Sequence, residues 1–167
     1  MKGGQGTIKS GSRIAKFIGI FKGVSRIINS KVMLSPLAGV TDKIFRKLVR
    51  KWAPESLLFT EMINATSLKH GYGTQKIKQL ELEKGPIGVQ IFDNRPFAVS
   101  EAAKLAEDSG AFLVDINMGC PVKKISRKGG GSALINDRLL AIELVKRVSN
   151  SVKAVSYTHL TLPTIRE

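Results

Sequence analysis

The sequence predicts an α/β fold in which four strand–helix units build a parallel sheet. Short apolar runs alternate with stretches of helical periodicity, which is typical of parallel α/β folds. The runs are almost continuously apolar, as in strands covered on both faces. An open doubly wound sheet and a (β/α)8 TIM barrel both satisfy the right-handed connections that such units require. A complete barrel needs about 250 residues and the chain has 167, so a barrel would be truncated to about its first four βα units.

The four predicted strands are short, and each is followed by residues that favour a turn. Gly39 follows the first strand, and Gly119 and Pro121 lie in the loop after the last strand. These residues interrupt regular backbone and mark the start of a loop. The strands cover residues 32–38, 56–61, 86–92 and 111–117.

The first helix follows directly on the first strand. Thr41 or Asp42 can cap its amino end, and its apolar positions are Ile44, Phe45, Leu48 and Val49. Residues 64–84, after the second strand, contain helical stretches with a weaker signal. The second unit is therefore the least regular of the four.

The third and fourth helices carry clearer boundary signals. Asp93 or Asn94 starts the third helix, Pro96 lies in its first turn and Gly110 ends it, in line with the preference for proline early and glycine late. The fourth helix follows a glycine-rich loop. Its cap is Asn136 or Asp137, and its apolar stripe is Ala141, Leu144, Val145 and Val148.

The amino-terminal segment differs from the rest. Residues 1–12 are rich in glycine and predict disorder. Residues 14–28 carry apolar side chains at helical spacing with basic residues between them, which suits either an amphipathic helix for a membrane surface or RNA or, over 24–31, a lead-in to the first strand. We assign residues 1–23 to a flexible basic extension.

Composition narrows the function classes. The apolar fraction of 43% is that of a globular protein, and no apolar run is long enough to span a membrane. A single cysteine and the lack of a secretory signal indicate a cytoplasmic protein. His70 and His159 are isolated, so no metal site is expected. The net charge is +14, with seven basic and no acidic residues in 1–41, which favours a polyanionic partner such as nucleic acid.

Candidate functional side chains follow the predicted strands, where parallel α/β folds place their sites. Gln90 and Asn117 offer amide donors and acceptors suited to an imide or pyrimidine edge. Cys120 offers a reactive or proton-donating thiol, although a lone cysteine also serves as a small buried apolar residue. Small residues near Ala38 allow a flat ring to approach the backbone. Glu61 is a catalytic acid or, more simply, a partner for a backbone amide or a lysine.

The loop after Cys120 is basic and rich in glycine. Residues 122–132 hold three consecutive glycines and four cations, Lys123, Lys124, Arg127 and Lys128. Glycine-rich backbone can present N–H groups to phosphate, and the cations add attraction. The loop is therefore either a clamp for RNA phosphates or a solvated flexible segment.

These motifs in combination resemble the tRNA-dihydrouridine synthases, over about residues 24–155. The segments that carry the resemblance are 35–42, 60–62, 90–92, 115–121 with Lys123 and Lys124, and 129–134. The resemblance implies an FMN-binding TIM barrel followed by a small helical domain. It implies the following roles: Pro36, Leu37 and Ala38 lie against the flavin, Gln90 hydrogen-bonds it, Asn117 holds the target uracil, and Lys123, Lys124, Arg127 and Lys128 bind RNA.

The chemistry that the resemblance implies uses Cys120 as general acid. NADPH reduces FMN, the hydride passes to C6 of a uridine in tRNA, and the thiol protonates C5. The enzyme would be an oxidoreductase in the cytoplasm, without a metal and monomeric at full length. The uridine must leave the folded tRNA to reach the site.

The chain also departs from the family pattern. Residues 156–167 show no feature of the family's fifth strand, which carries a lysine and an arginine. We assign them to a tail outside the family that looks like an artefact of sequence assembly. Residues 24–155 then form half of a barrel, whose two open edges and uncovered apolar face predict an unstable, inactive polypeptide that binds FMN weakly. Two alternatives remain, an FMN barrel acting on a free pyrimidine and an inactive basic RNA-binding fragment.

Overall fold

The computed structural model describes residues 32–159. The predicted extension 1–23, the amphipathic stretch 14–28 and the last part of the predicted tail lie outside these residues. The described part is an α/β unit built on one sheet. Its strands are β1 (Met33–Leu34), β2 (Leu57–Phe59), β3 (Ile63–Asn64), β4 (Ile87–Phe92), β5 (Leu113–Asn117) and β6 (Val155–His159).

Helices connect the strands and cover one side of the sheet. Three of them are longer than two turns, and the others are single turns that shape the loops. The helices are α1 (Lys43–Trp52), α2 (Ala65–Lys69), α3 (Thr74–Lys78), α4 (Pro96–Asp108), α5 (Lys123–Ser126) and α6 (Arg138–Ser151), with 3-10 turns at Gln79–Leu82 and Gly131–Asn136. No helix in the described ranges is long and apolar enough to cross a membrane.

The strand order distinguishes the two predicted architectures. The order is β1-β2-β4-β5-β6, every pairing is parallel, and β3 pairs with the end of β4. The sheet thus follows the chain without the reversal of order that defines a doubly wound sheet. The prediction of an α/β barrel with about four leading units is confirmed, and the doubly wound alternative does not fit.

Several predicted boundaries are confirmed by the caps. The Asp42 carboxylate accepts a hydrogen bond from the Phe45 backbone N–H at 2.8 Å, and the Asp137 carboxylate accepts one from Leu140 at 3.0 Å. These bonds satisfy N–H groups that a helix cannot pair internally. Gly110 has a positive φ of 86° just after α4, as a helix-terminating glycine does.

Other boundaries need correction. The first strand is only Met33–Leu34, because the chain turns away at residues 35–41. The second predicted strand, 56–61, is shortened to β2, and the separate short strand β3 follows it. Both lie beside β4. The third helix starts at Pro96 and not at Asp93 or Asn94, since the Asp93 carboxylate binds the Asn94 backbone N–H at 2.9 Å in the preceding turn.

The predicted apolar face of α1 is only partly buried, since two of its four positions are exposed. Ile44 is 79% exposed and Leu48 is 55% exposed, whereas Arg46 is only 4% exposed. The Arg46 guanidinium forms an ion pair with the Glu83 carboxylate and donates to the Thr41 carbonyl at 2.7 Å. A buried pair with complete hydrogen bonds replaces the apolar contact that periodicity predicts.

The two faces of the sheet differ in chemistry. Toward the helices, Val89, Ile91, Val114 and Ile116 pack in one apolar core. That core includes Leu144 and Val148 of α6, as predicted, with Ala141 and Val145 at its margin. The helix layer therefore supplies the apolar burial that holds the strands.

The opposite, inner face combines apolar and polar side chains. Leu57, Phe59 and Leu113 form a second small core there. A Cβ at Gly88 would lie 2.5 Å from a ring carbon of Phe59, so the absence of a side chain lets the ring cover β4. Farther along the strands this face carries Gln90 in place of an apolar residue, and the site begins there.

The last described strand extends beyond the predicted domain boundary. β6 begins at Val155, the predicted last residue of the domain, and pairs with β5 from Leu113↔Val155 to Asn117↔His159. Residues 156–159 therefore belong to the sheet.

Candidate active site

A row of buried polar side chains runs along the inner face at the carboxyl ends of β4 and β5. Asp115, Gln90 and Asn117 are 0%, 2% and 8% exposed. Gln90 Nε2 donates to Asp115 Oδ2 at 2.6 Å, and Asn117 Nδ2 donates to Gln90 Oε1 at 3.0 Å. Two predicted site residues, Gln90 and Asn117, are therefore in direct contact.

The Asp115 carboxylate gives this row a direction. Gln90 turns its Nε2 toward Asp115 Oδ2 and its Oε1 toward Asn117 Nδ2. Asn117 must then point its Nδ2 at Gln90 and its Oδ1 at the loop beyond β5. Sequence reasoning missed Asp115, although strand alternation places it on the same face as Asn117, two residues later.

Asn117 holds the loop that carries the thiol. Its Oδ1 accepts hydrogen bonds from the backbone N–H groups of Gly119 at 3.1 Å and Cys120 at 2.9 Å. Its Nδ2 also lies 3.9 Å from the sulfur of Met62. The amide thus fixes Cys120 relative to β5, and the half-buried thiol is a free one.

The glycine-rich loop supports Cys120 from the other side. Gly131 has a φ of +57°, and a Cβ there would lie 2.6 Å from the Cys120 carbonyl oxygen. The Ser132 backbone N–H donates to that same oxygen at 3.0 Å. Gly131 therefore serves close packing against the backbone of Cys120, which a side chain would prevent.

The expectation that this loop presents N–H groups to phosphate needs correction. The N–H groups of Gly129, Gly130, Ser132 and Ala133 all donate to backbone carbonyls. They close the turns after α5 and are not directed outward. The cations of the loop remain available, because Lys123, Lys124, Arg127 and Lys128 are all exposed.

The turn after β1 is fixed by hydrogen bonds, and its outer surface is exposed. The buried Thr41 hydroxyl accepts from the Leu37 N–H at 3.0 Å and donates to the Leu37 carbonyl at 3.1 Å. The Gly39 N–H donates to Glu61 Oε1 at 2.7 Å. Pro36 is half-buried, and Leu37 and Ala38 are exposed, which leaves a small, rigid surface.

Glu61 acts as a structural partner in this arrangement. Its second oxygen accepts from Lys76 Nζ at 2.8 Å. The hydrogen bond from Lys76, followed by that from the Gly39 backbone, lowers the pKa of the Glu61 carboxyl. Of the two predicted roles, the structure shows the partner of a backbone amide and a lysine.

Replacing Glu61 with glutamine should reduce the loss of stability in acid. A glutamate with a lowered folded pKa stabilises the fold above its unfolded pKa of about 4.3, and the contribution disappears as the pH falls through the lower folded value. Thermal unfolding between pH 6 and pH 3 should therefore show a shallower decline for Glu61→Gln. Glu101→Gln, at an exposed pair with Lys104, is the matched control, and equal slopes in both variants would contradict the assignment.

Asp93 organises the neighbouring loop at the end of β4. Its carboxylate accepts from the Thr66 N–H at 2.9 Å, from Asn64 Nδ2 at 3.3 Å and from Arg95 Nε at 3.0 Å. Burial by itself raises the pKa of this carboxyl, but the hydrogen bonds from Arg95, Thr66 and Asn94 outweigh it and lower the pKa. Asp93 therefore ties β3, α2 and the start of α4 into one unit.

No metal site emerges among residues 32–159, where no group of three or more histidine, cysteine, aspartate or glutamate side chains is arranged to hold an ion. The donors that do converge are amides, a thiol and backbone groups. Such donors suit a flat heterocycle with imide or carbonyl edges.

The fold and these side chains define a class, a barrel-type α/β protein with its candidate site at the carboxyl ends of the parallel strands. The family model for dihydrouridine synthase matches residues 33–164. The chain belongs to the dihydrouridine synthase family. The match includes residues 156–164 of the segment that the sequence predicts to lie outside the family.

Individual relatives agree with the family. The chain is 46% identical over 128 residues to the "Probable tRNA-dihydrouridine synthase 1" of Synechocystis, which is 77% of this chain and 36% of the relative. It is 41% identical over 138 residues to tRNA-dihydrouridine synthase B of Xanthomonas axonopodis, covering 81% and 40%. It is 35% identical over 128 residues to tRNA-dihydrouridine synthase B of Vibrio parahaemolyticus, which is 75% of this chain and 39% of the relative. The chain thus spans less than half the length of these relatives.

Proposed function

We propose that these residues form the leading part of the barrel of an FMN-dependent enzyme that reduces a uridine in tRNA to 5,6-dihydrouridine. The observation that carries the proposal is the placement of Cys120. Its backbone N–H is bound by Asn117 at 2.9 Å and its carbonyl by Ser132 at 3.0 Å. The backbone of Cys120 is thereby held beside the polar row at the strand ends, so its thiol can serve there as a proton donor.

The residues present fit a flavin ring. Pro36, Leu37 and Ala38 offer a small surface held by Thr41, against which a flat ring can lie. An amide nitrogen carries two hydrogens, and Asp115 takes one from Gln90, so Gln90 can direct its second toward a ring atom. When bound, FMN supplies the hydride for C6 of the uridine, and NADPH is the proposed reductant.

Asn117 and Cys120 act on the uracil. The Nδ2 of Asn117 gives one hydrogen to Gln90 and faces the Met62 sulfur at 3.9 Å. A thioether sulfur is a weak acceptor, so a uracil carbonyl can replace that contact. Cys120 then donates its proton to C5 of the ring, the step for which a positioned general acid is required.

The polynucleotide part of the substrate accounts for the charge. The net charge of +14 attracts phosphates over a long range. Lys123, Lys124, Arg127 and Lys128 extend this charge to the loop next to Cys120. A free pyrimidine, the substrate of the alternative function, is neutral and gains nothing from four cations. We also propose a cytoplasmic enzyme that is monomeric as the complete protein.

Replacing all four cations with alanine should weaken tRNA binding at least tenfold and flatten its salt dependence. Each phosphate contact contributes about 0.9 to the slope of log affinity against log salt for duplex DNA, and about 0.7 for single strands. The measurement is the tRNA affinity of the complete protein at salt concentrations from about 50 to about 200 mM, a range over which phosphate contacts change affinity strongly.

The matched control removes the same charges from the outer helices, as Lys47→Ala, Lys51→Ala, Lys146→Ala and Arg147→Ala, all at exposed positions. The control should retain most of the slope. An unchanged slope in the loop variant, with reduction of free uracil at the rate of tRNA, would favour the free-pyrimidine function instead.

A further inference from the structure

A cavity lies next to the candidate active site. It has a volume of about 500 Å³ and opens between the end of β3, the loop after β4 and the loop that contains α5. This volume is within the range of small-molecule sites, about 300–1,000 Å³. Neither the sequence motifs nor the proposed chemistry assigns it a ligand.

The walls of this cavity are preformed. On one side, Asp93 binds Asn64, Thr66 and Arg95. Across the opening, Asn94 Nδ2 donates to the Lys128 carbonyl at 2.7 Å. The two loops are thus joined by hydrogen bonds, and a ligand would enter without reorganising them.

The charge at the cavity is positive. Arg95, Lys124 and Lys128 line it, and Asp93 is the acidic residue among its lining. The ion pairs of the described residues include Arg95 with Asp93 but neither lysine. Two cations are therefore available for a phosphate, beside a carboxylate already engaged by Arg95.

The floor is apolar and leads to the reactive site. Met62, Phe92, Val122 and Ile125 line the cavity. The Met62 sulfur is the atom 3.9 Å from Asn117 Nδ2. Ile125 lies on the other side, where its side chain would contact a Cβ at Gly131 at 3.2 Å, next to Cys120. A ligand in the cavity would thus be a direct neighbour of the uracil at Asn117 and Cys120.

We propose that this cavity binds the nucleotide adjacent to the target uridine, with its base against the apolar floor and its phosphate at Lys124 and Lys128. The inference rests on the proposed function, since it takes RNA as the substrate. The cavity would add to substrate selectivity, because the enzyme then contacts both the extruded uridine and the nucleotide next to it in the RNA. Stacking of a base on an aromatic ring, here Phe92, commonly strengthens the binding of single strands about tenfold.

The test compares UMP with the trinucleotide UpUpU as ligands of the complete, FMN-loaded protein by titration calorimetry. We expect wild type to bind UpUpU at least about tenfold more tightly than UMP. The variant Lys124→Ala with Lys128→Ala should lose most of this advantage. The matched control, Lys123→Ala with Arg127→Ala, removes two charges from the same loop at residues that do not line the cavity, and it should keep the advantage.

Equal affinities of wild type for the two ligands would overturn the proposal, and so would equal losses in the two variants, which would indicate general attraction by the loop. A tRNA reduction assay on the same preparations keeps the two proposals separate. If the preparations show the expected UpUpU pattern but do not reduce tRNA, the proposed reaction is refuted and the nucleotide cavity stands. If they reduce tRNA but do not show the UpUpU pattern, the nucleotide cavity is refuted and the proposed reaction stands.

Discussion

Replacement of Cys120 with alanine is expected to lower the rate of dihydrouridine formation by about 10²–10⁴-fold, the usual contribution of a positioned general acid. The thiol has a fixed place because its flanking backbone groups are bound by Asn117 and Ser132. Those bonds use main-chain atoms, so alanine retains them and removes only the proton donor. The loss should fall on the chemical step.

The measurement is single-turnover reduction of tRNA by the reduced enzyme, with tRNA affinity determined in parallel. Affinity should change less than threefold, because the cations that attract RNA lie outside the substituted position. Leu139→Ala, at an exposed position of α6, is a control that should leave the rate intact. Reduction at the wild-type rate by Cys120→Ala would remove the thiol from the mechanism.

Replacement of Glu83 with alanine is expected to destabilise the complete protein by about 3–5 kcal/mol, the typical cost of leaving one partner of a buried ion pair alone. The side chains of Arg46 and Glu83 are each only 5% exposed. Arg46 Nε donates to Glu83 Oε2 at 3.0 Å, besides its second bond to the same carboxylate. Without Glu83, the guanidinium keeps only the Thr41 carbonyl.

Urea unfolding followed by circular dichroism measures this loss. Glu101→Ala, which breaks the exposed pair with Lys104, should cost at most about 1 kcal/mol. An Arg46→Met, Glu83→Leu double variant should recover much of the stability, as buried pairs replaced by apolar residues often do. Similar losses for Glu83→Ala and Glu101→Ala would show that burial adds nothing to the pair.

Much of the fold follows from local signals in the sequence. The apolar runs at β4 and β5, the caps at Asp42 and Asp137 and the stripe on α6 depend on neighbouring residues, and the structure confirms them. The expectation that functional side chains gather at the carboxyl ends of parallel strands correctly brings Gln90 and Asn117 together. Their contact follows from parallel strands in register, which apolar periodicity indicates.

What the sequence did not reveal depends on distant partners. Arg46 pairs with a glutamate 37 residues away, so its helix turns a charged side chain inward against its own apolar pattern. Gly131 packs on Cys120 across a loop, whereas the local run of glycines resembles a phosphate loop. Asp115 looks like an interruption of an apolar strand until its hydrogen bond to Gln90 is known.

The ring of Phe59 lying over Gly88 sets the depth of the site. Gly88 pairs with Leu113 and Gln90 with Asp115 in the register of β4 and β5. The apolar layer of Phe59 and Leu113 therefore lies directly beneath the polar layer of Gln90 and Asp115. Two residues along a strand span about 7 Å, and below that level the inner face of β2, β4 and β5 is apolar. In the proposed enzyme, the flavin and the uracil would consequently lie near the carboxyl ends of the strands, within reach of a tRNA that cannot itself enter the barrel.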